Sequence, residues 1–246
     1  MREKKAILRN RLTSVLHVSV FLLFAFHVFI SFAQQRDFAT ELQASYGLKP
    51  WRGGTITLGE KVRFTESSTR YSQSKTSLLV QQSLFRRQLG LHDLRFRLGG
   101  GYTFINRLTD PYDNPYYENQ HRFTLQGLLA RDYGFWRFGG RLRLQSTFRD
   151  ATRGSYRYNP KLAARLRISA TYALPDRPWK FGANAECFYR LNDPRGSFLD
   201  EMRYTLSATR LLDRYQSISL YTKYYHELNV ANPLRMLAVG LAYDFE

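Results

Sequence analysis

Between Trp136 and Phe148 the chain alternates with a period of two. Trp136, Phe138, Gly140, Leu142, Leu144 and Phe148 share one parity, with Ser146 as its polar member; Arg137, Gly139, Arg141, Arg143, Gln145 and Thr147 share the other. Successive side chains leave opposite faces of an extended strand, so this segment is a ribbon with one oily and one cationic face. It is long enough to cross a bilayer as a tilted strand, which takes roughly 9–11 residues. Residues 162–174 repeat the pattern, with Leu162, Ala164, Leu166, Ile168, Ala170, Tyr172 and Leu174 against Ala163, Arg165, Arg167, Ser169, Thr171 and Ala173. A sheet of such strands separates an apolar phase from a wet one. A soluble sandwich alternates in the same way, so other features must choose between them.

Further strands are predicted over 40–48, 55–64, 78–85, 94–104, 121–131, 179–191, 202–212, 216–225 and 237–245. The prolines (Pro50, Pro111, Pro115, Pro160, Pro175, Pro178, Pro194 and Pro233) all fall between or at the edges of these segments. Proline cannot donate to a ladder and is excluded from central strands, so its placement supports the map. Connections 106–120, 149–161 and 192–201 read as long; 132–134, 175–178 and 213–214 read as short. Long loops at one end and tight turns at the other match outer-membrane barrels, whose short turns are periplasmic. Trp51, Trp136 and Trp179 lie at or beside the short turns, where an aromatic girdle would meet the membrane interface.

Residues 1–33 read as a cleavable signal peptide: a basic stretch from Arg2 to Arg11, an apolar run over 15–30, then Ser31-Phe32-Ala33 before a mature chain starting at Gln34. Residues 34–246 then form one domain. A formal charge of +17 would ordinarily suggest nucleic acid. Here the arginines follow strand parity instead of clustering in a run, and the leader directs the chain out of the cytoplasm. Nucleic-acid binding is therefore discounted. Cys187 is the only cysteine, so no intrachain disulfide, zinc spacing or redox pair is available.

The fold class that follows is all-β: a transmembrane antiparallel up-and-down barrel. Eleven segments are recognisable, but bacterial barrels have even strand numbers. The expectation is twelve strands, or ten if 40–48 does not span. The closing run Gly240-Leu241-Ala242-Tyr243-Asp244-Phe245, with its near-terminal aromatic, suits recognition by outer-membrane assembly machinery. The partners expected are that machinery, outer-membrane lipid and small anions, in the outer membrane of a Gram-negative cell; no cofactor or metal is expected.

The order of several short motifs resembles a family of small outer-membrane barrels known only as domain of unknown function 2490. They are Val62-Arg63-Phe64, Gly100-Gly101-Tyr102, His121-Arg122, Leu166-Arg167, Glu186-Cys187-Phe188, Arg203-Tyr204 and the closing run. The resemblance implies an outer-membrane barrel and supplies no activity.

The wet parity carries the candidate site. Arg63, Arg95, Arg97, Arg122, Arg137, Arg141, Arg143, Arg165, Arg167, Arg190 and Arg203, with Lys61, Lys180 and Lys223, share it; Glu186 and Asp244 are its acids. On a lipid face each midplane Arg or Lys would cost about 2–4 kcal/mol, so these residues belong in the lumen. That lumen must be wet, filled with anions, or neutralised by acids such as Asp110, Asp113 and Glu118. It either passes or binds small anions, or serves as a closed structural network; the sequence leaves both open. Two other readings compete. One is an outer-leaflet lipid-modifying enzyme, a lipid A or phospholipid hydrolase, drawing on His92, His121, His226, Glu227, Ser155 or Ser197; no nucleophile motif supports it, and the chain is read as a non-enzyme. The other is a secreted soluble barrel binding a small ligand. The run Gly99-Gly100-Gly101 is read as relieving crowding or allowing a bend within a strand, not as a phosphate loop.

Overall fold

The computed structural model describes residues 37–65, 70–84, 94–109, 116–150, 159–194, 196–229 and 233–246. The expected leader lies outside them, as do Asp110, Asp113, His92 and Ser155. The strands, in chain order, are β1 (Asp37–Leu48), β2 (Gly54–Thr65), β3 (Arg70–Leu84), β4 (Leu94–Thr109), β5 (Tyr116–Tyr133) and β6 (Trp136–Arg149). They continue with β7 (Lys161–Ala173), β8 (Trp179–Arg190), β9 (Phe198–Leu211), β10 (Gln216–Glu227) and β11 (Arg235–Phe245). Each pairs antiparallel with its sequence neighbour, and the sheet closes where β1 meets β11.

That closure corrects the expected strand number. The barrel has eleven strands among the described residues, not twelve or ten, and 40–48 belongs to a full strand that begins three residues earlier. A hairpin meander reverses direction at every turn. With an odd count the first and last strands therefore run the same way, and β1 pairs with β11 in parallel from Asp37↔Met236 to Tyr46↔Phe245. A parallel ladder satisfies the backbone as completely as an antiparallel one, so an even count is not needed for closure. The odd count also places the start of β1 and the end of β11 at opposite ends of the cylinder.

The connections 49–53, 134–135, 174–178 and 212–215 share one end, here the turn end; 110–115, 150–160, 191–197 and 228–234 share the other, the loop end. The connections expected at 106–120 and 192–201 are shorter than predicted. β4 and β5 extend their pairing to Thr109↔Tyr116, so nine of the fifteen residues expected as the connection 106–120 are strand, with Tyr116 and Tyr117 on β5. β3 starts at Arg70, well before the expected residue 78.

Along every strand one parity faces away from the barrel axis and the other into it. The outward set is oily: Leu125 and Ile168 are 66% and 63% exposed, and Leu42, Leu58, Phe123, Phe138, Leu142, Leu144, Leu166 and Leu220 join them. The inward set is polar, and includes buried Glu41, Gln81, Gln126, Thr147, Arg165, Glu186 and Ser219. This inverts the arrangement of a soluble protein, in which the exposed face is the polar one. Glu60 interrupts the outward face of β2, beside Ala44 and Thr76. At inward-facing Gly99 and Gly101 a Cβ would lie 2.6 Å and 2.8 Å from the carbonyl oxygens of Val80 and Leu78. Side chains there would force β3 and β4 apart, as the crowding reading of the glycine run expects.

Candidate functional site in the barrel interior

Two carboxylates organise the middle of the lumen. Glu41 on β1 is 1% exposed. It accepts from Lys61 Nζ at 2.6 Å, from Arg63 Nε and Nη2 at 2.9 and 2.7 Å, and from Lys223 Nζ at 3.1 Å. The hydroxyls of Tyr221 and Tyr225 add donors at 3.0 and 2.9 Å. A carboxylate can leave water only if its lone pairs are filled by such charge-assisted bonds. The donors arrive from both sides of the parallel seam, since Lys61 and Arg63 stand on β2 and the tyrosines and Lys223 on β10. Tyr221 reaches Glu41 across β11 because the residue in register with both is Gly240. A Cβ there would sit 2.3 Å from the tyrosine ring.

The second carboxylate is Glu186 on β8, which takes Arg141 Nη2 at 2.9 Å and Arg165 Nη2 at 2.8 Å. Arg167 stands opposite Glu186 in the β7–β8 register. Arg165 also donates to Gln145 at 3.1 Å, and Arg143 donates to Gln126 at 2.6 Å. Phe188 carries Arg165 and Arg203 over its ring, with guanidinium carbons 4.0 and 3.9 Å from the centroid. Such cation–π contacts hold guanidinium groups at fixed positions without neutralising them. Arg203 is also bonded to Glu201.

Toward the loop end the lumen widens into a cavity of about 670 Å³. Its wall includes Lys75, Arg107, Arg122, Arg149, Lys161, Arg190 and Arg203, with Glu118, Asp200, Glu201 and Glu227. Asp200 is held by Lys161 at 3.2 Å and by Arg190 at 2.8 Å. At the turn end Asp132 binds Arg95 and, at 2.6 Å, Arg137. Arg97 is exposed at an inward position, opposite Ser83 and Leu128.

All eleven arginines picked out by parity thus stand on the inward face, together with Lys61, Lys180 and Lys223. Several participants are not singled out by the sequence, among them Glu41, Lys75, Arg107 and Arg149. Glu41 lies in a weakly patterned first strand; Lys75 lies in the part of β3 left unassigned; Arg107 and Arg149 lie in segments expected to be loop. Glu118, expected as a loop acid folding inward, is an inward residue of β5, bonded by Gln120 at 2.9 Å. Asp244 faces inward and bonds Ser45.

Trp51, Trp136 and Trp179 lie at the turn end: Trp51 donates to Gln82 at 2.6 Å, Trp136 packs on Tyr172 at 4.9 Å, and Trp179 faces Arg210 at 5.9 Å. A second band of aromatics, including Phe64, Tyr71, Tyr117, Phe123 and Phe148, lies nearer the loop end. His121 and His226, the described histidines of the enzyme reading, do not converge. His121 is outward on β5, paired with the Tyr102 hydroxyl at 2.7 Å, and His226 stacks on Tyr224 of β10. Ser197 donates to the Leu191 carbonyl. Among the described residues no group of His, Cys, Asp and Glu side chains is arranged to hold a metal.

An oily outer wall around a polar, arginine-rich interior defines a closed β-barrel turned inside out relative to soluble proteins. The chain belongs to the family described as protein of unknown function (DUF2490), whose model matches residues 42–233, from β1 to just before β11. Among solved structures the chain is similar to an anion-selective porin from Comamonas acidovorans, with 11% identity over 82% of this chain and 55% of the porin, at a TM-score of 0.37. The chain therefore spans about half the length of that porin. It is similar also to the beta domain of the Bordetella autotransporter BrkA, with 12% identity over 81% of this chain and 86% of that domain, at a TM-score of 0.39. A comparison with curated proteins finds no match.

Proposed function

We propose that this chain is an outer-membrane barrel of a Gram-negative cell, exported by a cleaved leader, whose wet cationic lumen admits and passes small anions. The oily outward face and the aromatic bands toward both ends suit a bilayer and its two interfaces. The observation that carries anion preference is the interior charge. Lys75, Arg97, Arg122 and Arg143 have no carboxylate within ion-pair distance among the described residues. Uncompensated cations at this density are tolerable only in contact with water and mobile counter-ions. Their field raises the local concentration of anions.

The dense networks around Glu41 and Glu186 favour a second reading, a barrel closed at mid-height whose chamber binds solutes without conducting them. Planar-bilayer recording under a tenfold potassium chloride gradient separates the two. Passage predicts conductance whose reversal potential has the sign of chloride selectivity. Absence of conductance, or a reversal potential of the opposite sign, contradicts it.

A further inference from the structure

We infer that the loop-end chamber is a binding site for a phosphoryl dianion, free or carried on a small solute, seated between Lys75 of β3 and Arg122 of β5. The inference shares with the proposed function only the premise that solutes reach this chamber, and it does not require passage through the barrel. Of the four cations named above as lacking a carboxylate partner, these two line the chamber; Arg97 stands toward the turn end and Arg143 donates to Gln126. Lys61, Arg63 and Lys223 converge on Glu41, Arg141 and Arg165 on Glu186, and Lys161 and Arg190 on Asp200. Lys75 has no hydrogen-bond or ion-pair partner among the described residues, and the charges that act on it most strongly are those of Arg122, Arg63, Lys61 and Arg203. Arg122 spends its Nε on Thr147 Oγ1 at 2.9 Å. That leaves both terminal guanidinium nitrogens for a ligand in the cavity that Arg122 lines, and the charges that act on it most strongly are those of Arg165, Arg203, Arg107 and Arg149. Two cations with no carboxylate partner of their own repel one another, and a bound multivalent anion relieves that repulsion.

The chemistry of the donors selects the anion. The open edge of a guanidinium is a planar fork that matches two oxygens of a phosphoryl group, and an ammonium opposite supplies a compact point charge. Chloride has one acceptor centre and a single charge, so it cannot match the two arms with two separate oxygens or bridge to the ammonium as a dianion can. The surrounding wall adds the side-chain amides of Gln120 and Gln145, each with one N–H already given to Glu118 or Thr124 and a second to offer. The acids of the chamber do not oppose the seat equally. Asp200 and Glu201 are held by Lys161, Arg190 and Arg203. Glu118 stands opposite Arg107 in the β4–β5 register and accepts from Gln120 at 2.9 Å. The cavity of about 670 Å³ exceeds what one phosphate fills and falls within the range of small-molecule sites, so a phosphate monoester with a compact polar body also fits.

The test is calorimetric titration of the purified protein in detergent micelles with inorganic phosphate, and separately with glycerol 3-phosphate, both against chloride at matched ionic strength. Saturable binding of either phosphate species over chloride is the expected result, and the tighter of the two shows whether the free ion or the monoester is the better occupant. Lys75→Gln and Arg122→Gln should each weaken that binding roughly tenfold to a hundredfold, as loss of a charge-assisted hydrogen bond does. Lys180→Gln, on β8 toward the turn end, should leave it unchanged. Lys75 has no partner to lose, so Lys75→Gln should fold with unreduced stability; a merely structural lysine would show the reverse. Binding no stronger than that of chloride, or wild-type affinity in a folded Lys75→Gln protein, overturns the inference. Phosphate binding without conductance would contradict passage and leave this site standing; conductance without phosphate binding would do the opposite.

Discussion

Glu41 shows how much one side chain carries here. It is the shared acceptor of Lys61, Arg63, Lys223 and two tyrosines, and it is fully enclosed. Removing one partner from a buried ionic cluster costs about 3–5 kcal/mol, because the charges left behind lose their counter-charge while staying out of water. Glu41→Gln should therefore lower the denaturant midpoint of the barrel in micelles by several times the change seen for Glu60→Gln. Glu60 is exposed on the outer face with no buried partner to strand. Equal midpoints would refute the role given to Glu41. The importance of Glu41 was not legible in the sequence. Its donors come from β2 and from β10, far away along the chain, and only the closure of the sheet brings them together. Arginine parity was legible because a strand assigns faces by local geometry alone, so Arg141, Arg143, Arg165 and Arg167 could be assigned inward without knowing their partners.

The seam between β1 and β11 is the feature that local pattern predicted least well. Eleven ribbons are visible in the sequence, but the parity of the strand number is a property of closure, and no residue within a strand records it. Strand ends were also misjudged. β4 and β5 continue past their apolar alternation to a polar outward pair, Asn106 and Asn119, whose side chains bond at 2.9 Å. Backbone ladders persist where the hydrophobic signal stops. A cross-link tests the seam. Thr40 and Val239 face each other in the parallel register. In a Cys187→Ser background, cysteines at those two positions should form a disulfide on mild oxidation, since paired strands hold Cα atoms within the roughly 4.4–6.8 Å that a disulfide spans. Cysteines at Thr40 and Leu220 should not, since β11 lies between β1 and β10. The opposite outcome would mean the sheet closes differently. At the same seam, Gly240→Ala should displace Tyr221 from Glu41 and lower the midpoint, provided the cluster stabilises closure as described.

The cylinder as a whole places every oily ribbon face outward and every guanidinium-bearing face inward, and every functional proposal above rests on that arrangement. The alternation along β6 makes it measurable one position at a time. Single nitroxide labels would be placed from Phe138 to Gln145 in a Cys187→Ser background, with the protein reconstituted into liposomes, and each label's collision rates read with oxygen and with a water-soluble nickel complex. The account predicts strict alternation: labels at Phe138, Gly140, Leu142 and Leu144 collide mainly with oxygen dissolved in lipid, and labels at Gly139, Arg141, Arg143 and Gln145 mainly with nickel in water. Uniform accessibility along the strand, or oxygen preference at the arginine positions, would contradict it.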